Sequence, residues 1–126
     1  MNKIEFFEDE NGKSDVLDFL EEIRLKSKNN KNYRIQYRQI MFYINLLKEN
    51  GSTLNSNIMK NIDEDIWELR PGYNRVFYFY YDKSETYVLL HHFRKKSQKT
   101  PKREIVKAKN ERNSYLLRKE CSKWKP

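Results

Sequence analysis

Cysteine, glycine and proline are scarce in this chain of 126 residues, which has one, three and three of them. Cys121 has no second cysteine to pair with, so no internal disulfide is possible, and a reducing cytoplasm is the expected setting. The two histidines stand side by side at positions 91 and 92, and no Cys/His set has the spacing of metal ligands. Neither a metal nor another cofactor is expected. There is no long apolar run, so no membrane span is expected. The first twelve residues, MNKIEFFEDENG, lack the apolar centre of a signal peptide.

Charged side chains, by contrast, make up 35% of the sequence and aromatic ones 14%. A chain of this length builds one domain with a modest core, here taken as residues 1–126, and aromatics fill such a core economically. The charge is placed unevenly. Residues 94–126 hold 13 of the 26 lysines and arginines but 3 of the 18 carboxylates, a net of +10. Residues 1–93 stand at −2, giving the chain its +8. A nearly neutral body with a basic C-terminal third favours nucleic acid over an acidic small molecule. The plainer alternative is a solvated basic helix with a flexible tail over about 118–126.

Apolar spacing divides the chain into elements. Lys3 to Phe7 reads as a strand, closed by Asp9-Glu10-Asn11-Gly12. Ser14 can cap a helix whose face carries Val16, Leu20 and Ile23. A polar break over 26–32 precedes a second helix from Tyr33 to Glu49, striped by Tyr37, Ile40, Ile44 and Leu47 and stopped at Asn50-Gly51. Ile58 to Lys60 is a short strand or an extended approach. Ile66–Arg70, Arg75–Tyr81 and Thr86–Phe93 then form an antiparallel meander, turning at Pro71-Gly72 and Asp82–Ser84. Thr100 and Pro101 open a last helix to about Leu117. The expected class is α+β: a small antiparallel sheet with an N-terminal strand, a helical hairpin, a three-strand meander and a C-terminal helix.

The stretch IWELRPGYNRVFYFYYDKSETYVLLHHFRKKSQKTP (66–101) says most about function. If its strands pair, the entry of one run and the exit of the other share an end of the sheet. Arg70, Arg75, Arg94, Lys95, Lys96 and Lys99 would then line one rim, suited to a polyanion and above all to RNA. Cleaving RNA without a metal needs a group to take the 2′-hydroxyl proton, cations to stabilise the phosphorane and a donor to the leaving oxygen. Arg75 is the first choice for gripping phosphate with its guanidinium fork, against the alternative of a surface pair with Glu68. Arg70 contacts phosphate or holds Glu68. Glu68 is a general base or, more simply, the ion-pair partner that orients the arginines, since a carboxylate between cations is a weak base. Lys95 reads as an RNA contact, with Lys96 and Lys99 as possible catalytic partners. His91 reads as a core group sharing a face with Leu89 and Phe93. His92, on the other face with Arg94, is an acid–base candidate at the rim. Tyr73, in the turn, is placed to stack on a base. Lys60, Arg94 and Arg103 complete the candidate RNA contacts.

These segments resemble a known group. Trp67-Glu68-Leu69-Arg70-Pro71, Asn74-Arg75-Val76-Phe77-Tyr78, Leu89-Leu90-His91-His92-Phe93, Lys95-Lys96-Ser97-Gln98-Lys99-Thr100-Pro101 and Glu104-Ile105 together are similar to the phage-related HigB-type toxins of the RelE/ParE superfamily. The resemblance implies a RelE-like fold and a toxin paired with a helix-turn-helix antitoxin of the HigA kind, DNA being reached only through that partner. It implies cleavage of mRNA on the translating ribosome, with Arg75 matching the superfamily's strand arginine. The ParE branch implies an alternative, a non-enzymatic poison of DNA gyrase, and a non-catalytic RNA-binding regulator is a third. The chain departs from the group's pattern at His92, where glycine is common, at Asn74, where an aromatic is common, and at Glu68, where more distant members carry lysine.

Overall fold

The computed structural model describes residues 2–122. Strand β1 (Lys3–Phe6) leads to helices α1 (Asp15–Lys26) and α2 (Lys31–Asn50). Strands β2 (Met59–Asp63), β3 (Ile66–Leu69), β4 (Asn74–Tyr81) and β5 (Thr86–Arg94) follow, and helix α3 (Lys102–Ser122) closes the chain. The five strands form one sheet in the order β1-β5-β4-β3-β2. Four of them pair antiparallel as expected, whereas β1 lies parallel to β5, with Lys3 opposite Thr86 and Phe6 opposite Leu89. The sheet is therefore mixed. A strand arriving through no hairpin is free to take either direction, and the long excursion through α1 and α2 separates β1 from its sheet partners. The extended approach at 58–60 is a full edge strand, β2, paired with β3.

Local signals set the helix ends. Ser14 Oγ accepts from the Leu17 N–H at 3.2 Å, and Asp15 and Asp18 sit in the positive first turn of α1. Asn30 caps α2 by accepting from the N–H groups of Asn32 and Tyr33, so that helix begins two residues before the apolar stripe does. Helix α3 runs past Leu117 to Ser122, so the expected tail starts inside the helix, and residues 123–126 of that tail lie outside the described residues.

Helices cover both faces of the sheet. On one face α1 and α2 bury Val16, Leu20, Ile23, Ile40, Ile44 and Leu47 against Leu69, Val76, Tyr78 and Leu89. On the other, α3 brings Ala108 and Tyr115 down on Ile66, Phe77, Phe79, Val88 and Leu90. Phe77 and Tyr78 are both buried, one on each face. The alternation of β5 breaks once. Val76 stands opposite His92 and Tyr78 opposite Leu89, so Phe77 faces two residues, Leu90 and His91. This bulge turns His91 to the α3 side with Leu90 and Phe93, away from Leu89, which corrects the expected face.

Candidate RNA-binding cleft

The α3 face of the sheet ends in a cleft of about 330 Å³ beside the start of α3. Six cations line it: Lys60 from β2, Arg70 after β3, Arg75 at the start of β4, and Lys95, Lys96 and Lys99 from the segment between β5 and α3. One carboxylate, Glu68, joins them. Pairing explains the convergence. Glu68 lies opposite Lys60 on one neighbour and Phe77 on the other, and Arg75 lies opposite Phe93. The entry of β4 and the exit of β5 thus share one end of the sheet, and a bond from the Lys95 N–H to the Tyr73 carbonyl (2.7 Å) fixes them together.

Glu68 is the centre of this arrangement and is 2% exposed. Its Oε1 lies 3.5 Å from Arg70 Nε and 3.6 Å from Arg75 Nε. Its Oε2 accepts from the Thr100 hydroxyl at 3.2 Å. The hydroxyl expected to cap α3 therefore ties the helix start to the sheet, and the Pro101 carbonyl accepts the first helical bonds from Glu104 and Ile105. A carboxylate this buried requires cationic partners and hydrogen bonds, and here it has both.

Arg75 is not the surface arginine of the plainer sequence alternative: it is 6% exposed. Its Nη1 donates to the carbonyls of Gly72 (2.7 Å) and Asn74 (2.9 Å), and its Nη2 makes no hydrogen bond among the described residues. Gly72 has φ of +62°, a conformation glycine adopts without strain, and so completes the turn whose carbonyl holds the guanidinium. Burial pushes the Arg75 guanidinium below its ordinary value; Glu68 pulls it up and Arg70 pushes it down again. It stays protonated, because arginine titrates far above neutrality. Arg70 is half-buried, while Lys60, Lys96 and Lys99 are exposed.

Some expected members are elsewhere. His92 lies on the opposite face, stacked on Phe19 with ring centroids 3.8 Å apart and bonded through Nδ1 to Asp15 Oδ2 at 2.6 Å. The expectation that it reaches the cationic rim is corrected by the same alternation that sends Phe93 into the cleft. Arg94 shares the His92 side, with its guanidinium 5.8 Å from the centre of the Tyr73 ring, and Tyr73 is 70% exposed at the turn. Arg103 is exposed on α3 and lines a separate recess with Phe7 and Lys107. His91 is buried, its Nδ1 2.5 Å from Glu111 Oε1 and its Nε2 3.7 Å from Glu104 Oε1; Nε2 has no hydrogen-bond partner among the described residues.

Sequence reasoning missed Thr100 as a partner of Glu68, and Asp15 as a partner of His92. Both bonds join residues far apart in the chain, 32 and 77 positions, and no local pattern signals them. Among the described residues no group of three or more His, Cys, Asp or Glu side chains is arranged to hold a metal ion, and no helix is long and apolar enough to cross a membrane.

Comparison with known families gives one match. A family model described as Phage derived protein Gp49-like (DUF891) matches residues 34–113, well over half of the chain. The matched range runs from α2 into α3 and contains every residue that lines the cleft. No curated protein matches the chain.

Proposed function

Because the chain belongs to the Gp49-like family of phage-derived proteins, a family associated with the toxins of toxin–antitoxin pairs, we propose that it is such a toxin and cuts mRNA on the translating ribosome. The observation that supports this reading most is the cleft itself, with six cations around one buried carboxylate at the open end of a small sheet. That charge pattern suits a ribose-phosphate chain.

The chemistry follows from the parts. The 2′-oxygen of the RNA attacks the neighbouring phosphorus, the bond to the 5′-oxygen breaks, and a cyclic 2′,3′-phosphate and a 5′-hydroxyl result. The 2′-hydroxyl gives up one proton and the leaving oxygen takes one. Arg70 and the unengaged Nη2 of Arg75 face the charge that gathers on the phosphorane. Glu68 is committed to both arginines and to Thr100, so its part is to position the guanidinium groups rather than to touch the RNA. The lysines at 96 and 99, on the flexible-length side chains at the mouth, neutralise phosphate and carry protons to or from the reacting oxygens. Lys60 and Lys95 extend the grip along the strand. Such sparse acid–base equipment suits an enzyme whose substrate is aligned by the ribosome, since positioning supplies much of the rate. A helix-turn-helix antitoxin would silence the toxin, and binding to DNA would come from that partner.

The test is expression of the wild type, Arg70→Ala and a Lys96→Ala/Lys99→Ala double variant, all checked for folding by circular dichroism. The wild type should arrest growth and leave mRNA ends inside ribosome-covered codons, and both variants should lose both effects by at least ~10-fold, the size of a lost charge-assisted contact to the transition state. Growth arrest with intact mRNA and blocked supercoiling would instead assign the toxin to gyrase. Full toxicity in both variants would end the case for this cleft.

A further inference from the structure

Behind the cleft, on the α1–α2 side of the sheet, the same end of β4 and β5 opens into a second recess of about 270 Å³. Its lining differs in kind. Lys26 is engaged by Glu22 at 2.9 Å, and His92 by Asp15. Of its lysines and arginines only Arg94 is without an ion pair among the described residues, against six cations around the cleft. What the recess offers is a set of fixed polar edges. Asn74 Nδ2 donates to Gln36 Oε1 at 3.2 Å, which leaves Asn74 Oδ1 as an acceptor and Gln36 Nε2 as a donor. Asp15 Oδ2 accepts from both the backbone N–H and Nδ1 of His92, at 2.8 and 2.6 Å, and Phe19 stacks flat on the ring. The two bonds to Asp15 and the stacked Phe19 hold the imidazole in one orientation, with Nε2 as its free polar edge.

The recess and the cleft share their borders. Asn74 and Arg75 are consecutive, as are Arg94 and Lys95, and each pair sends one side chain to each face. The Arg94 guanidinium over the Tyr73 ring stands at the mouth between them. An RNA strand with a phosphate in the cleft can bend round this end and bring a neighbouring base to the recess.

We infer that the recess takes a nucleobase of the same RNA strand, beside the nucleotide whose phosphate occupies the cleft, and that Gln36, Asn74 and His92 read its edge. The inference rests on the RNA-cleaving reading given above and adds to it a source of base preference.

Mapping mRNA ends in cells that express the wild type, Gln36→Ala and Gln36→Glu tests it. The wild type should cut with a preferred base next to the severed bond. Both variants should still cut ribosome-bound mRNA, with that preference reduced about tenfold, as expected for one lost base-edge contact. Gln36→Glu keeps the size of this half-buried side chain and replaces its donor with an acceptor, so it keeps the test decisive if Gln36→Ala fails to fold. Unchanged base preference in a folded variant that cuts normally overturns the inference and leaves the cleavage reading standing. Intact mRNA with the wild type overturns both.

Discussion

Replacing Glu68 by glutamine takes one negative charge from between two guanidinium groups and keeps the shape of the side chain. The bond from Thr100 can survive, since an amide oxygen also accepts. What is lost is the counter-charge to Arg75, which is 6% exposed and 3.6 Å away, and to Arg70 at 3.5 Å. Removing one partner of a buried ion pair costs about 3–5 kcal/mol. Arg75 keeps its two carbonyl acceptors, so the lower end, about 3 kcal/mol, applies here. For a domain of this size that lowers the melting temperature by roughly 10–15 °C. A second effect separates this account from plain loss of packing. With Glu68 neutral, an added oxyanion is the best available partner for Arg70 and Arg75. Sulfate or phosphate should therefore raise the melting temperature of Glu68→Gln more than that of the wild type, by an amount that grows with the logarithm of anion concentration once the site fills. Thermal melts by circular dichroism, at constant ionic strength with chloride against sulfate, measure both effects. A variant that melts within 2 °C of the wild type, a margin of about 0.5 kcal/mol, would refute the claim that Glu68 holds the arginines. Equal response of both proteins to sulfate would refute the claim that Glu68 is the counter-charge of the two arginines.

Three further expectations concern the frame around the cleft. The bonds from His92 hold the Asp15 carboxyl below its ordinary 3.8, against the burial that raises it. A depressed carboxylate stabilises the fold above its unfolded value and loses that effect as pH falls from about 4 through its folded value, so urea unfolding should weaken over that window in the wild type and less in Asp15→Asn. Gly72→Ala forces a side chain into a φ of +62° and places its Cβ 2.8 Å from Gln39 Oε1; it should lose about 1–2 kcal/mol in denaturant unfolding, and a loss below about 0.3 kcal/mol would count against the turn's role. His91→Ala removes a fully buried ring and strands Glu111, so a cost of about 2–4 kcal/mol is expected by the same measurement.

The class and most element boundaries were legible because they rest on local chemistry: Ser14 caps α1, Gly51 ends α2, and Pro71-Gly72 turns the chain between β3 and β4. The cleft was legible for a related reason. Once β4 and β5 pair antiparallel, Arg75 and Lys95 must share one end, whatever the details of packing. Three things were not legible, and each depends on a fact that strands do not carry in themselves. The direction of β1 depends on where a long helical excursion returns. The face of His91 depends on a bulge opposite Phe77, which shifts the count by one and reverses a side chain. The burial of Glu68 and Arg75 depends on α3 covering the face that alternation alone marks as polar.

That last point alters how the cleft is understood. A surface rim of six equivalent cations would attract RNA without orienting it. Here Arg75 is immobilised by Gly72, Asn74 and Glu68, while the exposed Lys60, Lys96 and Lys99 surround it on long, free stems. The two kinds of cation have different work. Apart from the proton transfers proposed for Lys96 and Lys99, the lysines raise the local concentration of the polyanion and are screened by salt, because they are exposed. Arg75 presents its one unengaged nitrogen at a fixed place and is screened far less. Raising salt should therefore weaken encounter with RNA much more than the chemical step once RNA is bound. Single-turnover cutting of ribosome-bound mRNA at increasing potassium chloride separates the two: the concentration of toxin needed for half-maximal rate should climb steeply, while the maximal rate stays within about twofold, since buried charges are little screened. A maximal rate that falls in step with affinity would mean that the exposed lysines, and not the buried arginine, stabilise the reacting phosphate.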